Sequence, residues 1–419
     1  HMHLEEGLEA LGEFHAGEVY LDIAEGLTRR YGEKSSLPEA ALIRCQICTA
    51  RADFYHVVEY MSEVVEVAGD LGQAEDVLLG LEHVSTSLAL MTHFKEAQEK
   101  AEQALRLARE LGNREHEATL LTSTMPMILI RDGDFESARA SLRQGLEIAM
   151  RIGAIAPQVD RGWFLAEIAR ERGEYEQALE YGHLALSAAL PMEDFMPYAV
   201  VPPLSTLGSI YLKISLQFRD EATDFHNHAL RLLETPAGSL AGGTAWADLG
   251  FCALTLGDIQ LADESIQKGL NYPTMFSLIE HARLLAGSAL LARNRGELDQ
   301  ARLAIEAALA YAQERGMRNL FPLLSLVNGK IYLAGNELDE ALEAFKKAEA
   351  LAVELTMRPL VWQARAAAAE MGRLAEAEVE IASARAMAHE IADLFQDQTL
   401  RKVFLHNVEA RLPMLNTSS

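Results

Sequence analysis

The sequence predicts an all-α protein, an α-α superhelix of about ten helix-turn-helix repeats with a period near 40 residues and a C-terminal capping helix. Two observations predict this fold. A turn of glycine, an acidic residue and an aromatic or aliphatic residue recurs along the chain, as in Gly133-Asp134-Phe135. An alanine such as Ala138 then follows five residues after the glycine. Fixed periods of about 20 to 50 residues are typical of solenoids.

The alanine, or another small residue in its place, marks the same position in every repeat and is called the anchor. The anchors are Val57, Ala97, Ala138, Ala178, Ala222, Ala262, Ala301, Ala341 and Ala377. In most repeats a second small residue follows seven residues later, as Ala185 follows Ala178. Because seven residues make about two helical turns, both small residues point to one neighbouring helix. A bulky replacement there is expected to overpack the contact by about 1–3 kcal/mol.

The glycine of each turn is expected to end one helix and begin the next. Glycine adopts positive φ without steric cost, which makes it a common residue just after a helix. Asn336 replaces glycine in one repeat, and asparagine tolerates the same left-handed conformation. Each repeat is therefore predicted to be a helix, a tight turn and a second helix.

The most complete repeat resembles the tetratricopeptide repeat (TPR) family. The residues that carry this resemblance are Trp246, Leu249, Gly250, Gly257, Ile259, Ala262 and Gly269. Other repeats match in part, so the resemblance covers essentially the whole chain. It is specific for the fold and not for a ligand. The period exceeds the usual length of about 34 residues.

The long period and the closing segment are similar to the sensor arrays of STAND signal-transduction ATPases, of the maltose-regulon-activator or cyclase-linked type. Residues 385–412 resemble the capping helix that ends many such chains. The resemblance implies a non-catalytic, ligand-sensing domain that regulates an NTPase or effector part. The first repeat has almost no room for its first helix, so we expect that part upstream of this sequence.

We expect one superhelical domain over residues 1–419. Its predicted parts are a truncated first repeat (1–36), N-terminal repeats (37–186), an irregular central repeat (187–236), C-terminal repeats (237–384), the capping helix (385–412) and a tail (413–419). The central repeat contains four prolines between Pro191 and Pro203. Proline bends helices, so a hinge or pocket wall near Asp194, Phe195 and Tyr198 is a hypothesis.

The composition of the chain limits the kinds of partner that it is expected to bind. A net charge of −25 disfavours nucleic acid, because phosphate contacts require a basic face. No apolar run reaches the roughly 18 residues of a membrane span, and no signal peptide opens the chain, so we expect no membrane contact and a cytoplasmic location.

The sequence contains no pattern of residues that indicates catalysis, so we predict that the protein is not an enzyme and uses no cofactor. Gly329-Lys330 lacks the glycines and the hydroxyl of a phosphate-binding loop. Cys45 and Cys48 occupy positions at which other repeats carry packing residues, so we interpret them as packing residues rather than a redox pair or metal ligands. No metal site is predicted.

The predicted binding face consists of residues eighteen, fifteen and eleven before each anchor, which lie on one stripe of the first helices. The predicted ligand-binding residues are Glu82, Thr86, Asp160, Trp163, Phe164, Glu167, Arg170, Asp248, Phe251, Arg283 and Lys330, of which Phe164, Arg170 and Asp248 lie at the edge of the stripe. An exposed Trp163 between two carboxylates suits a sugar, a nucleoside or a cationic peptide. The alternative is that Trp163 packs against the next helix and the carboxylates are solvated.

Two functions agree with this pattern. The first is the effector-binding domain of a STAND-type ATPase, which senses a small molecule, a peptide or a protein and acts on an NTPase domain of the same chain. The second is an interaction scaffold that holds a peptide or a helix in its concave groove without any linked switch.

Overall fold

The computed structural model describes residues 37–154, 156–235, 238–271, 276–371 and 374–412. These residues form helices joined by short turns and contain no strand, which confirms the predicted all-α helix-turn-helix array. No described helix has the length and the apolar stretch that crossing a bilayer requires. The predicted truncated first repeat (1–36), the turn at Gly372-Arg373 and the predicted tail (413–419) lie outside the described residues.

The helices alternate between the first and second positions of successive repeats, except that α5 and α6 together form one first helix. In chain order they are α1 Leu37–Ala50, α2 Phe54–Leu71, α3 Ala74–Leu90, α4 Phe94–Leu111, α5 Arg114–Thr122, α6 Thr124–Asp132, α7 Phe135–Ile152, α8 Ala156–Arg172, α9 Tyr175–Ala189, α10 Pro197–Ile214, α11 Arg219–Leu233, α12 Gly242–Leu256, α13 Ile259–Asn271, α14 Ser277–Asn294, α15 Leu298–Glu314, α16 Phe321–Ala334, α17 Leu338–Glu354, α18 Arg358–Ala369, α19 Leu374–Ala392 and α20 Gln398–Glu409.

The predicted turn position takes positive φ in seven of the described repeats, which confirms its role there. The residues that show this are Ala52, Thr92, Gly133, Gly173, Gly257, Gly296 and Asn336. Before Ala222 the first helix ends instead at Ser215, in an extended conformation. Ala52 and Thr92, at φ 57° and 66°, adopt the left-handed conformation without being glycine or asparagine. The fold therefore imposes this backbone on the position, and glycine only makes it less costly.

A second left-handed turn, which the sequence analysis missed, joins five of the described repeats to the next. It contains Gly72, Gly112, Gly153, Gly316 and Thr356, each fifteen residues after an anchor. The two turns divide a typical repeat into two halves of about equal length. The long period is therefore explained by long helices, commonly of 17 or 18 residues, rather than by long links.

The small residues pack as predicted. The anchors Ala97, Ala138, Ala178 and Ala262 are fully buried. At the second small position, a Cβ added to Gly145 would lie 2.6 Å from Thr122 Cγ2 and 3.1 Å from the Ala118 carbonyl oxygen. The neighbouring helix therefore approaches so closely that a methyl group would clash.

The chain divides into two compact units. Unit 1 comprises His1–Ile128 and Arg143–Pro157, and unit 2 comprises Leu129–Leu142 and Gln158–Ser419. In unit 1, α3, α4 and α5 surround a core that includes Leu78, Leu105 and Leu120. The first helix of the third described repeat is interrupted at Ser123, between α5 and α6, three residues before Pro126.

In unit 2, the C-terminal helix packs against helices from much earlier in the chain. The ring centroid of Phe404 on α20 lies 5.6 Å from that of Tyr175 on α9, and the two residues share a core with Leu204 of α10. The Glu176 carboxylate accepts the N–H of Gln396 at 2.5 Å and that of Asp397 at 3.2 Å. The described repeats of unit 2 thus curve enough for the last helix to contact α9 and α10.

The proline-rich central segment does not interrupt its helix. Helix α10 runs from Pro197 to Ile214 and includes Pro202 and Pro203, both buried. Phe195, which precedes this helix, is 66% exposed. The predicted closing segment, residues 385–412, contains the last residues of α19 and all of α20.

Candidate functional site

The candidate site is a network of ion pairs in unit 2, centred on Asp248 of α12. The Asp248 side chain is fully buried and accepts hydrogen bonds from Arg170 of α8 and Arg283 of α14. The distance from Arg170 Nη1 to Asp248 Oδ1 is 3.3 Å. Arg170 Nη1 also lies 3.5 Å from the Ser209 hydroxyl on α10. One carboxylate and two guanidinium groups therefore join the first helices of four consecutive repeats.

The network continues along α8 toward the aromatic residues predicted for the site. Glu167 accepts a hydrogen bond from Arg170 at 2.7 Å and another from the Thr206 hydroxyl at 3.0 Å. Thr206 in turn accepts the indole N–H of Trp163 at 3.1 Å. Glu171 is a further carboxylate partner of Arg170, at 3.2 Å. Four polar side chains of α8 and α10 are thereby fixed relative to the ion pairs.

In the other direction the network reaches a helix far away in sequence. Arg283 Nη1 donates to Glu280 at 3.1 Å, and Glu280 pairs with Arg131 of α6 at 3.3 Å. Glu280 is almost fully buried. The Arg283 guanidinium also lies 5.3 Å from the ring centroid of Phe251, one helical turn from Asp248. Phe251 is half-buried, so part of its ring faces solvent beside the ion pairs.

Burial and neighbouring charges change the ionisation of the two central carboxylates in opposite directions. Burial alone would raise the pKa of Asp248, but Arg283 and Arg170 outweigh it and lower that pKa below its usual range. For Glu167, burial outweighs the attraction of Arg170, and the charge of Asp248 adds to it, raising the pKa to about 7. Glu167 therefore exchanges a proton near neutral pH.

Trp163 is buried, contrary to the prediction of an exposed indole. Only 8% of its surface is accessible, and its ring contacts Phe164 and Phe276 at centroid distances of 4.7 and 5.3 Å. Phe164 is buried as well. Trp163 is therefore packed inside the protein, with its indole N–H donated to Thr206 and its ring against two phenylalanines. The Asp160 side chain lies outside the described residues.

The remaining predicted residues do not join the network. Lys330 lies on α16 and makes no ion pair with a described residue. Glu82 and Thr86 belong to unit 1, where Glu82 pairs with His116 at 2.6 Å and the Thr86 hydroxyl lies 2.8 Å from that of Thr124. These two residues form separate contacts between successive repeats.

Sequence reasoning missed several members of the network. These are Arg131, Glu171, Thr206, Ser209 and Glu280. The position of Glu280, three residues before Arg283, was a readable signal, because residues three apart face the same side of a helix. For Arg131 the repeat pattern gave no signal, because its partner lies 149 residues away.

The described part of the chain shows no cluster of three His, Cys, Asp or Glu side chains suited to a metal ion. Cys45 and Cys252 are buried, and burial raises the pKa of each thiol to about 12. Both thiols are protonated at neutral pH and behave as packing groups.

No protein-family model and no curated protein matches the chain. Several solved structures resemble it at low sequence identity. Yeast Tom70 is 13% identical, with 94% of this chain and 95% of that chain covered and a TM-score of 0.35. A tetratricopeptide repeat protein from Parabacteroides merdae is 20% identical, covering 73% and 98%, with a TM-score of 0.37. The apo form of the quorum sensor NprR from B. thuringiensis is 13% identical, covering 85% and 98%, with a TM-score of 0.46. These similarities concern the helical fold and do not extend to function.

Proposed function

We propose that the chain is a non-catalytic, effector-binding helical-repeat domain, and that the face around Asp248, Glu167, Arg283 and Phe251 responds to the effector. The proposed output is an NTPase or effector part of the STAND type. The observation that carries this proposal is the buried ion network that joins α6, α8, α10, α12 and α14 in unit 2.

A network of this kind is poorly explained by stability alone. Taking charges out of water is costly, and apolar residues of similar volume often stabilise a protein as well or better. What ion pairs supply is a defined geometry, because each guanidinium has fixed donor directions. Here Arg170 touches side chains from three repeats. A change in its partners therefore changes how those repeats sit against one another.

An effector acts on this network by supplying or withdrawing charge beside it. Phe251 offers a half-buried aromatic surface, and Glu167 carries a proton that is exchanged near pH 7. To convert a domain from about 1:99 to 99:1, an effector must prefer one state by roughly 5.5 kcal/mol. A few charge-assisted hydrogen bonds of about 1.5–3 kcal/mol each supply that preference.

The experiment is a thermal-shift screen of the full chain against metabolites and peptides, followed by calorimetric titration of the best ligand. A ligand at about a hundred times its Kd adds roughly 2.7 kcal/mol to the stability of the folded state. We expect binding to weaken at least tenfold in Glu167→Gln and Phe251→Ala. The control is Glu354→Gln, which removes an exposed ion pair with Arg318 and leaves binding unchanged.

Ligands that bind all three variants with equal affinity would contradict the proposed face. A screen in which peptides bind and small molecules do not would instead favour the scaffold function, in which an extended segment occupies the groove without a linked switch.

A further inference from the structure

Lys330 of α16 lies among three other cations that come from three different elements of unit 2. Arg293 lies in the last turn of α14, Lys213 lies in the last turn of α10, and Arg411 follows α20. The charges of all three act on Lys330, together with one negative charge, that of Glu370. Helix α16 packs against α14, and α20 packs against α10, so the packing of unit 2 brings these elements together.

These cations have no carboxylate partner in the described part of the chain. Lys213, Lys330 and Arg411 make no hydrogen bond or ion pair with a described residue, and the Arg293 guanidinium donates to the neutral amide oxygen of Asn294 at 2.7 Å. This is unusual in a chain with 62 acidic and 37 basic residues. The arginines of the neighbouring network, such as Arg170 and Arg283, are each paired with two or more carboxylates.

Keeping like charges together in a partly enclosed space is unfavourable. Burial and the three surrounding cations lower the pKa of Lys330 to about 8, although Glu370 acts in the opposite direction. Burial also lowers the pKa values of Lys213 and Arg411, although Glu171 acts in the opposite direction on Lys213 and Tyr175 on Arg411. The side chains nevertheless reach solvent, since Lys213 and Arg411 are exposed and Lys330 and Arg293 are half-buried. A ligand therefore has access to the cations.

We propose that Lys213, Arg293, Lys330 and Arg411 form a binding site for a small anion with two or more negative charges, carried on carboxylate or phosphate groups. The proposal rests on the effector-binding function proposed above and names the chemical class of the effector. Arginine supplies parallel N–H donors to such groups, and the lysines act as point charges. Because Lys213 lies near Arg170 and Arg283, a bound anion also acts on the ion network.

The test is calorimetric titration of the full chain with two probes, inorganic pyrophosphate and citrate, at low ionic strength. We expect saturable binding of at least one probe, and the stronger of the two identifies phosphate or carboxylate as the recognised group. Binding is expected to weaken at least tenfold in Lys330→Gln and in Lys213→Gln. The matched control is Lys346→Gln, an exposed lysine on α17, which leaves binding unchanged.

The pH dependence gives a second readout. An anion prefers protonated Lys330, so the affinity for citrate, whose own charge changes little in this range, is expected to fall as the pH rises from 7 to 9, and to fall less in Lys330→Gln.

The absence of binding by both probes, or equal binding by wild type and Lys330→Gln, would overturn the anion site. The proposed function has a separate outcome. An uncharged ligand from the screen whose binding requires Glu167 and Phe251 but neither lysine would preserve the effector face and overturn the anionic class alone.

Discussion

Arg170 on α8 donates to Asp248 on α12 at 3.3 Å, although 78 residues and the whole of α10 separate them in the chain. The same guanidinium reaches Ser209 on α10, 39 residues away. One side chain thus connects three successive repeats. Asp248 is fully buried and takes a second guanidinium from Arg283, so the two positive charges and the carboxylate depend on each other.

Asp248→Asn is expected to destabilise unit 2 by about 3–5 kcal/mol, because it leaves Arg170 and Arg283 buried without their common counter-charge. The measurement is urea denaturation followed by circular dichroism. The control is Asp263→Asn, which removes a pair with Arg295 at 2.6 Å that is more than a third exposed. Exposed pairs contribute about 0–1 kcal/mol, so equal effects of the two variants would contradict a central role for Asp248.

The raised pKa of Glu167 predicts an unusual pH dependence of the stability of the protein. The pKa of Glu167 is raised in the folded state to about 7, so the folded protein holds a proton that the unfolded chain releases near its ordinary pKa. The stabilisation that this bound proton provides is complete below the ordinary pKa of a glutamate, and it is lost as the pH rises to about 7. Glu167→Gln cannot ionise, so its stability relative to wild type is expected to increase between pH 5 and pH 8.

Denaturation midpoints at the two pH values measure this change. Glu354→Gln, in an exposed pair, serves as the control and is expected to show no such trend. A constant difference between Glu167→Gln and wild type across the range would show that Glu167 is ionised throughout.

Two glycines of unit 1 test the close helix packing. Gly145→Ala places a methyl group 2.9 Å from Leu121 Cβ and 3.1 Å from the Ala118 carbonyl oxygen, and is expected to destabilise by about 1–3 kcal/mol. Gly69→Ala, on the exposed side of α2, has no atom within 4 Å of the new Cβ and is expected to stabilise by about 0.4–1 kcal/mol. Thermal midpoints that shift in opposite directions in the two variants would confirm the close helix packing at Gly145, and shifts of the same sign would contradict it.

Trp163 is expected to contribute to stability rather than to ligand contact. Trp163→Ala removes a buried ring and leaves the Thr206 hydroxyl without its donor, at a cost of about 3–5 kcal/mol. Trp163→Phe keeps most of the packing and is expected to cost less. Thermal melting of both variants measures these losses. A Trp163→Ala variant as stable as wild type would contradict this role and would agree with the exposed Trp163 that the sequence suggested.

The repeat pattern predicted the fold because the repeats share the same local sequence features. Small residues set the helix contacts, and a left-handed turn ends most of the described first helices whether or not glycine is present, as Thr92 shows. The same register placed Glu167, Phe251 and Arg283 on one face, and the structure brings all three to the ion network.

The register of the repeats does not specify how strongly the repeats of unit 2 curve. Arg131 reaches Glu280 only because the repeats of unit 2 turn far enough to bring α6 to α14. The repeat pattern does not predict the burial of Trp163, because Trp163 contacts Phe276, a residue that precedes α14 and lies outside the pattern. The grouping of Lys330 with Arg411 likewise depends on where α20 returns, which no local pattern specifies.

The central claim is that the face around Asp248 binds an effector, and amide hydrogen exchange of the full chain with and without the best ligand tests it most directly. We predict protection concentrated in α8, α10, α12 and α14, and loss of that protection in Glu167→Gln. Protection confined to other helices, or no ligand that changes exchange anywhere in unit 2, would contradict the account.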